Sequence, residues 1–199
     1  MKKTFILLTA VIATILSTAI NTNAQTFNFE KDEEGDPYLS GSISYDCSAK
    51  TAMNRLTTYL QTIYDEEHLS VDEETGVVQI KNAQENSKFI YNPLAGEFRD
   101  DVVYDLTITP DADSKTFHYT FSKLSIRSFA KGFANYDRCD PLRVVLKKYA
   151  KAKERVDDPA LDRREKKSAV NDMEDLATSL SKVSETLLAL IERAQENIE

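Results

Sequence analysis

The 199-residue sequence predicts an α+β fold, in which an antiparallel sheet packs against an N-terminal helix and is followed by a C-terminal helical extension. Three observations predict it. Apolar residues recur three and four apart over 49–65, and they alternate one for one over 102–109 and 116–126. After Asp140-Pro141 the helical spacing returns and runs nearly to the last residue.

The first element is a targeting segment. Lys2-Lys3 precede an apolar and small-residue run from Phe5 to Ile20, followed by Asn-Thr-Asn-Ala-Gln. This is the charged, apolar and small-residue order of a secretory leader, with cleavage expected after Ala24. The expected organisation is therefore a signal peptide over 1–24, a flexible lead-in over 25–37, an α+β domain over 38–139 and helices over 140–199. The lead-in QTFNFEKDEEGDP is acidic, is broken by Gly35 and Pro37, and has little to bury. Past the leader no apolar stretch approaches the roughly 20 residues that a spanning helix needs.

From Tyr38, YLSGSISY places Leu39, Ile43 and Tyr45 on one parity, a strand weakened by Gly41. Ser48 or Asp46 then caps a helix over about 49–65, whose inner face carries Ala52, Met53, Leu56, Leu60, Ile63 and Tyr64. The segment HLSVDEETGVVQIKNA reads as two short strands around a turn at Gly76. KFIYNPLAGEF adds a short strand that ends before Pro93. Val102, Tyr104, Leu106 and Ile108 then define one face of a half-buried strand. In the next strand Phe117, Tyr119 and Phe121 share a parity that shifts at Leu124 and Ile126, the signature of a β-bulge. Asp140-Pro141 starts a helix, and Asp158-Pro159 repeats the signal for a second. Within that second helix Met173, Leu176, Leu180, Val183, Leu187 and Leu190 form a regular stripe. The stripe either packs on the chain's own sheet and helix or makes a short self-association seam, and these six residues are the candidate interaction face.

Charge and motif content narrow the function. The chain holds 33 acidic and 25 basic residues; without the leader's two lysines the balance is 33 to 23, a net charge near −10. Such a surface repels phosphate backbones, so nucleic acid is not an expected partner. Cys47 stands at the start of the first helix, where the macrodipole favours a thiolate, but an exported chain with two cysteines favours pairing. A disulfide between Cys47 and Cys139 is expected, with a free thiol as the alternative. A Cys–His hydrolase would have only His68 and His118 to draw on. His118 points away from the aromatic face of its strand, and His68 follows three acidic residues in a turn. The cysteines and histidines lack the close spacing of zinc ligands. Asp111-Ala-Asp113-Ser114 opens like a calcium loop, but Lys115 takes a ligand position, and an acidic hairpin tip is the simpler reading. Asp72-Glu73-Glu74 is read as a solvated turn. Five glycines leave no phosphate cradle, and the absence of tryptophan weighs against a carbohydrate-stacking platform, although nine tyrosines and nine phenylalanines remain. No metal or cofactor is expected.

The helix SAKTAMNRLTTYLQTIY, the turn segment DEETGVVQIKNA and the strand pair VVYDLTITPDADSKTFHYTFSKLSI, after a leader ending Ala24-Gln25, resemble an uncharacterised domain family of exported Bacteroidetes proteins with a TBP-like fold, domain-of-unknown-function family 4468. The resemblance covers roughly 38–126. Tyr59 stands where that family commonly has tryptophan. What the resemblance implies is a curved antiparallel sheet backed by a helix, with no established enzyme activity; likeness of fold to a DNA-binding protein does not carry DNA binding with it. The function expected is a periplasmic or secreted, non-enzymatic binding or protein-interaction module, acting on a protein partner or on itself through the C-terminal helix. The alternatives are a cell-envelope hydrolase and an inhibitor of a secreted enzyme.

Overall fold

The computed structural model describes residues 29–199 apart from 95, 133 and 134. The leader, its cleavage site and the first part of the lead-in lie outside the described residues. The lead-in is structured from Phe29 onward, where flexibility was expected. A two-residue strand β1 (Glu30–Lys31) pairs antiparallel with β2 (Pro37–Ser44), and Phe29 packs against the core. The acidic turn closes because the Asp32 carboxylate accepts from the Glu34 and Asp36 amides, at 3.0 and 2.8 Å.

Helix α1 (Ala49–Gln61) starts where Ser48 Oγ accepts from the Thr51 amide at 3.2 Å, and it buries Ala52, Leu56 and Leu60. A short β3 (Leu69–Val71) leads through the Asp72 turn into three long strands, β4 (Val78–Asn92), β5 (Gly96–Asp111) and β6 (Thr116–Gly132). These are followed by β7 (Tyr136–Pro141), helix α2 (Leu142–Asp157) and helix α3 (Arg163–Ile198). The sheet order is β1-β2-β6-β5-β4-β3, with β7 also paired to β6, and every pairing is antiparallel. Val102, Tyr104, Leu106 and Ile108 of β5 are buried with Phe117 and Phe121 of β6 beneath the helices. At Gly41 a side chain is impossible without movement, because an added Cβ would lie 2.6 Å from Cζ of the Tyr119 ring across the strand pair.

The expected parity shift in β6 is a bulge. Between the pairs Val103↔Ser125 and Asp105↔Ser122, both Lys123 and Leu124 face Tyr104. A second bulge lies directly across β5, where Lys81 and Asn82 of β4 face Asp105. Asn82 and Lys123 both have positive φ, 51° each. Asp105 serves both: its Oδ1 accepts from the Asn82 amide at 2.8 Å and its Oδ2 meets Lys123 Nζ at 2.7 Å. These paired bulges divide the sheet into a proximal part, which β2 and β3 flank, and a distal part formed by the outer ends of β4, β5 and β6 with β7.

The C-terminal helices share the core of the sheet domain. One apolar cluster joins Leu142 and Val145 of α2, and Leu180, Val183, Leu187, Leu190, Ile191, Ala194 and Ile198 of α3, to the strands and to α1. The helix after Asp158-Pro159 begins later than its turn signal implies. Asp162 caps it in a capping box with Glu165, so the wholly charged run from Asp162 to Lys167 becomes the solvated first turns of α3. At the far end Arg55 of α1 donates to the carbonyls of Ile198 and Glu199, both at 2.8 Å, and ties the chain terminus down.

Candidate functional site: the distal end of the sheet

The residues singled out in the sequence do not converge. Cys47 and Cys139 are both free thiols, against the expected disulfide. The strand register explains why: Ser44, just before Cys47, pairs with Thr116 at the start of β6, whereas Cys139 pairs with Arg127. Eleven residues of strand separate those pairs, on the order of 30 Å, where a disulfide requires Cα atoms about 4.4–6.8 Å apart. Cys47 is half-buried against the core and Cys139 is exposed on β7.

Each histidine is occupied close to its own turn. His68 Nδ1 lies 2.7 Å from Asp65 Oδ1, and that hydrogen bond raises the imidazole pKa while lowering that of the carboxyl. His118 lies 3.7 Å from Asp111 on the face of the sheet away from the helices. Asp111 is a hairpin tip: its carboxylate accepts from the Asp113 and Ser114 amides, and hydrogen bonding from Ser114 lowers its pKa. Among the described residues no group of three or more His, Cys, Asp and Glu side chains is placed to hold a metal ion.

The candidate interaction stripe is covered by its own chain. Leu180 and Leu187 are fully buried, Val183 and Leu190 nearly so, and Met173 and Leu176 are half-buried. Within one chain the sheet, α1 and α2 together close over the stripe. Leu180, Val183, Leu187 and Leu190 offer no free surface, while Met173 and Leu176 stay partly exposed.

The exposed chemistry lies elsewhere, at the distal end. Here β4 loses its outer neighbour, since β3 pairs only with Val78 to Ile80, and β7 takes the place of β2 beside β6. A cavity of about 290 Å³ between α3 and the sheet is lined by Ser87, Lys88, Asp100 and Ile126 from the strands and Asp175 and Lys182 from the helix.

On the face away from the helices, cross-strand pairing builds two rows. One runs Asn86, Asp101, Arg127, Cys139 and the other Phe89, Arg99, Phe129, Asp137. Asp101, 3% exposed, organises the first row. Its carboxylate accepts from Gln84 Nε2 and from Asn86 Nδ2, the latter at 3.1 Å. Arg99 Nε approaches it to 2.9 Å, a charge contact without hydrogen-bond alignment. Arg99 also lies over the Phe129 ring, 5.5 Å from its centroid. Arg127 grips Asp137 with Nε and Nη2, at 2.8 and 2.6 Å, and this pairing pulls the Asp137 carboxyl below its ordinary pKa and raises that of Arg127. The result is a set of planar polar and cationic groups already held in place, which is what a binding surface requires to avoid ordering costs.

The end of this region is apolar. Phe89, Ile90, Tyr91 and Leu94 of the β4–β5 hairpin and Tyr136 of β7 are 58, 46, 68, 93 and 47% exposed. They are five of the seven exposed large hydrophobic residues among those described, the others being Ile63 and Leu188. The Asn92 side chain accepts from the Leu94 amide at 2.9 Å and so fixes the turn that presents Leu94. Sequence alone does not reveal this end, because KFIYN reads as a short strand and YDRCDP carries no strand signal. The available signal was apolar residues on both parities of 89–94, which an ordinary half-buried strand does not have.

No protein-family model and no curated protein matches the chain. Two solved structures are similar to it. A TBP-like protein from Parabacteroides distasonis ATCC 8503 is 14% identical, with 84% of this chain and 97% of that chain covered at a TM-score of 0.49. A DUF4468 family protein from Bacteroides ovatus ATCC 8483 is 15% identical, with 84% of this chain and 86% of that one covered at 0.43.

Proposed function

We propose that the protein is an exported, non-enzymatic binding module of the cell envelope or its surroundings, and that the distal end of the sheet is its working surface. One observation carries this reading: the exposed apolar side chains gather at that end, beside arginines already locked by Asp101 and Asp137. Exposed apolar patches on a folded chain mark interaction sites, and aromatic and arginine side chains supply most of the energy at such sites. Export rests on the Lys2-Lys3 leader with its small-residue end.

Site-specific photo-crosslinking in intact cells tests it. A benzophenone side chain placed at Tyr91 or Leu94 gives adducts with a partner of any kind, and the same group at Leu188 or Gln79 gives none. Equal labelling from all four positions, or none from Tyr91 and Leu94, removes the distal end as the working surface.

A further inference from the structure

Building on that reading of the distal end, we infer that its occupant is a lipid surface, with the β4–β5 hairpin tip seated in the interfacial layer of a bilayer. The first argument is that the tip is apolar on both faces. Phe89 and Tyr91 share the open face with their partners across the β4–β5 pair, Arg99 and Glu97, the latter paired in turn with Lys131 on β6, while Ile90 shares the helix-side face through its pairing with Phe98. Leu94 stands at the turn between the strands. A protein docking on one face of a sheet leaves the other face wet, and exposed aromatics there would gain nothing. A medium that surrounds the tip satisfies both faces at once.

The second argument is charge. The chain as a whole carries 33 acidic and 25 basic residues, but residues 86–101 and 127–138 hold four acidic and five basic ones. The distal end is therefore the part of an acidic protein that approaches a membrane without repulsion, and Lys88 and Lys131 flank the apolar tip. The third is geometry. Phe89 lies five residues from Leu94, within roughly 15 Å of the turn along the strand, and an interfacial element reaches about 5–10 Å into the headgroup and acyl boundary. Leu94 and Tyr91 then sit in the boundary, with Phe89 at its edge, where aromatic side chains are favoured. The unpaired outer edge of β4 stays among headgroups and water, not in hydrocarbon, where its amides would be costly. Attachment is peripheral: no described helix is long and apolar enough to cross a membrane.

The chain contains no tryptophan, so a single introduced indole reports its own surroundings. The probes are the full mature chains carrying Tyr91→Trp or Leu188→Trp, mixed with phosphatidylcholine vesicles. Tyr91→Trp emission shifts to the blue and the protein floats with the vesicles, in about 0.5 M salt as in low salt, because apolar insertion is not screened. Leu188→Trp reports no shift. Leu94→Asp lowers the partition coefficient at least about tenfold, and Tyr91→Ser lowers it in the same direction, with thermal melts matching the parent.

An absence of flotation, or flotation unchanged by Leu94→Asp, overturns the inference. A blue shift that needs no vesicles but grows with protein concentration also overturns it and assigns the tip to a second copy. Protein adducts from Tyr91 in cells without vesicle binding refute the lipid inference and leave the binding-module reading standing. No adducts of any kind refute both.

Discussion

Replacing Leu187 by alanine separates a helix that belongs to the monomer core from one that pairs between chains. Leu187 is fully buried in the centre of the α3 stripe, between Val183 and Leu190, and the residues over it come from the same chain. Truncation removes the transfer free energy of the lost methyl and methylene groups and leaves a cavity between helix and sheet. The cost for a fully enclosed leucine falls in the upper part of the range for such substitutions, about 3–4 kcal/mol. Domains of this length are stable by about 5–15 kcal/mol, so the loss is a large share, and it lowers the melting temperature by roughly 10 °C. Urea unfolding followed by circular dichroism, at protein concentrations tenfold apart, measures it. The expected result is a midpoint lowered equally at both concentrations with unchanged m-value, and a monomer by light scattering for parent and variant alike. A midpoint that rises with concentration in the parent, or a cost below about 1 kcal/mol, refutes the packing of α3 on its own sheet.

Three further outcomes test the interior. Gly41→Ala costs about 1–3 kcal/mol because the Tyr119 ring must move, and the double variant with Tyr119→Leu costs less than the sum of the two single changes; strict additivity in urea titrations counts against the contact. Asp105→Ala loses the charge-assisted bond from the Asn82 amide, about 1.5–3 kcal/mol, whereas Asp105→Asn retains an acceptor and costs less; equal losses in the two variants contradict the bulge clamp. Tyr64 and Tyr104 share a buried hydrogen bond of 2.6 Å, and burial raises both pKa values well above the ordinary value of 10.0. Their folded-state pKa values lie above the unfolded ones, so the stability they contribute is complete below pH 10 and falls as pH rises beyond it. Absorbance at 295 nm therefore shows two of the nine tyrosines ionising only with cooperative alkaline unfolding, and smooth ionisation of all nine near pH 10 disproves the burial.

The periodic elements were legible because each is amphipathic along one axis. Leu39 and Ile43, the face from Ala52 to Leu60, the alternation from Val102 to Ile108 and the parity break between Phe121 and Leu124 all sit where their periods put them. What could not be read depends on partners remote in sequence. β7 is polar and exposed, YDRCDP, and is a strand only because the distal half of β6 has an edge to offer. Asn82 has no apolar parity to break, so its bulge is visible only once Asp105 lies across from it. Asp101 looks like any surface acid in the run Arg99-Asp100-Asp101, and its burial comes from Gln84 and Asn86 on β4 and from Arg99 beside it. The pairing of Cys47 with Cys139 was inferred from number and compartment, which hold no information about the register that keeps them apart.

The two bulges also set which side chains lie under the helices. β5 keeps one parity from Ile108 to Val102, while β4 and β6 each insert a residue beside Tyr104 and Asp105. An inserted residue reverses the parity beyond it, so Ala83 replaces the Ile80 register and Leu124 replaces that of Phe121 under the helices; on β4 a further shift between Asn86 and Lys88 reverses it again. Bulges also bend and twist the strands that carry them. At the distal end Phe89, Tyr91 and Tyr136 meet solvent, near a cavity lined by the strands and α3. Asp105, in contact with Asn82 and Lys123 at once, ties the two bulges together across β5.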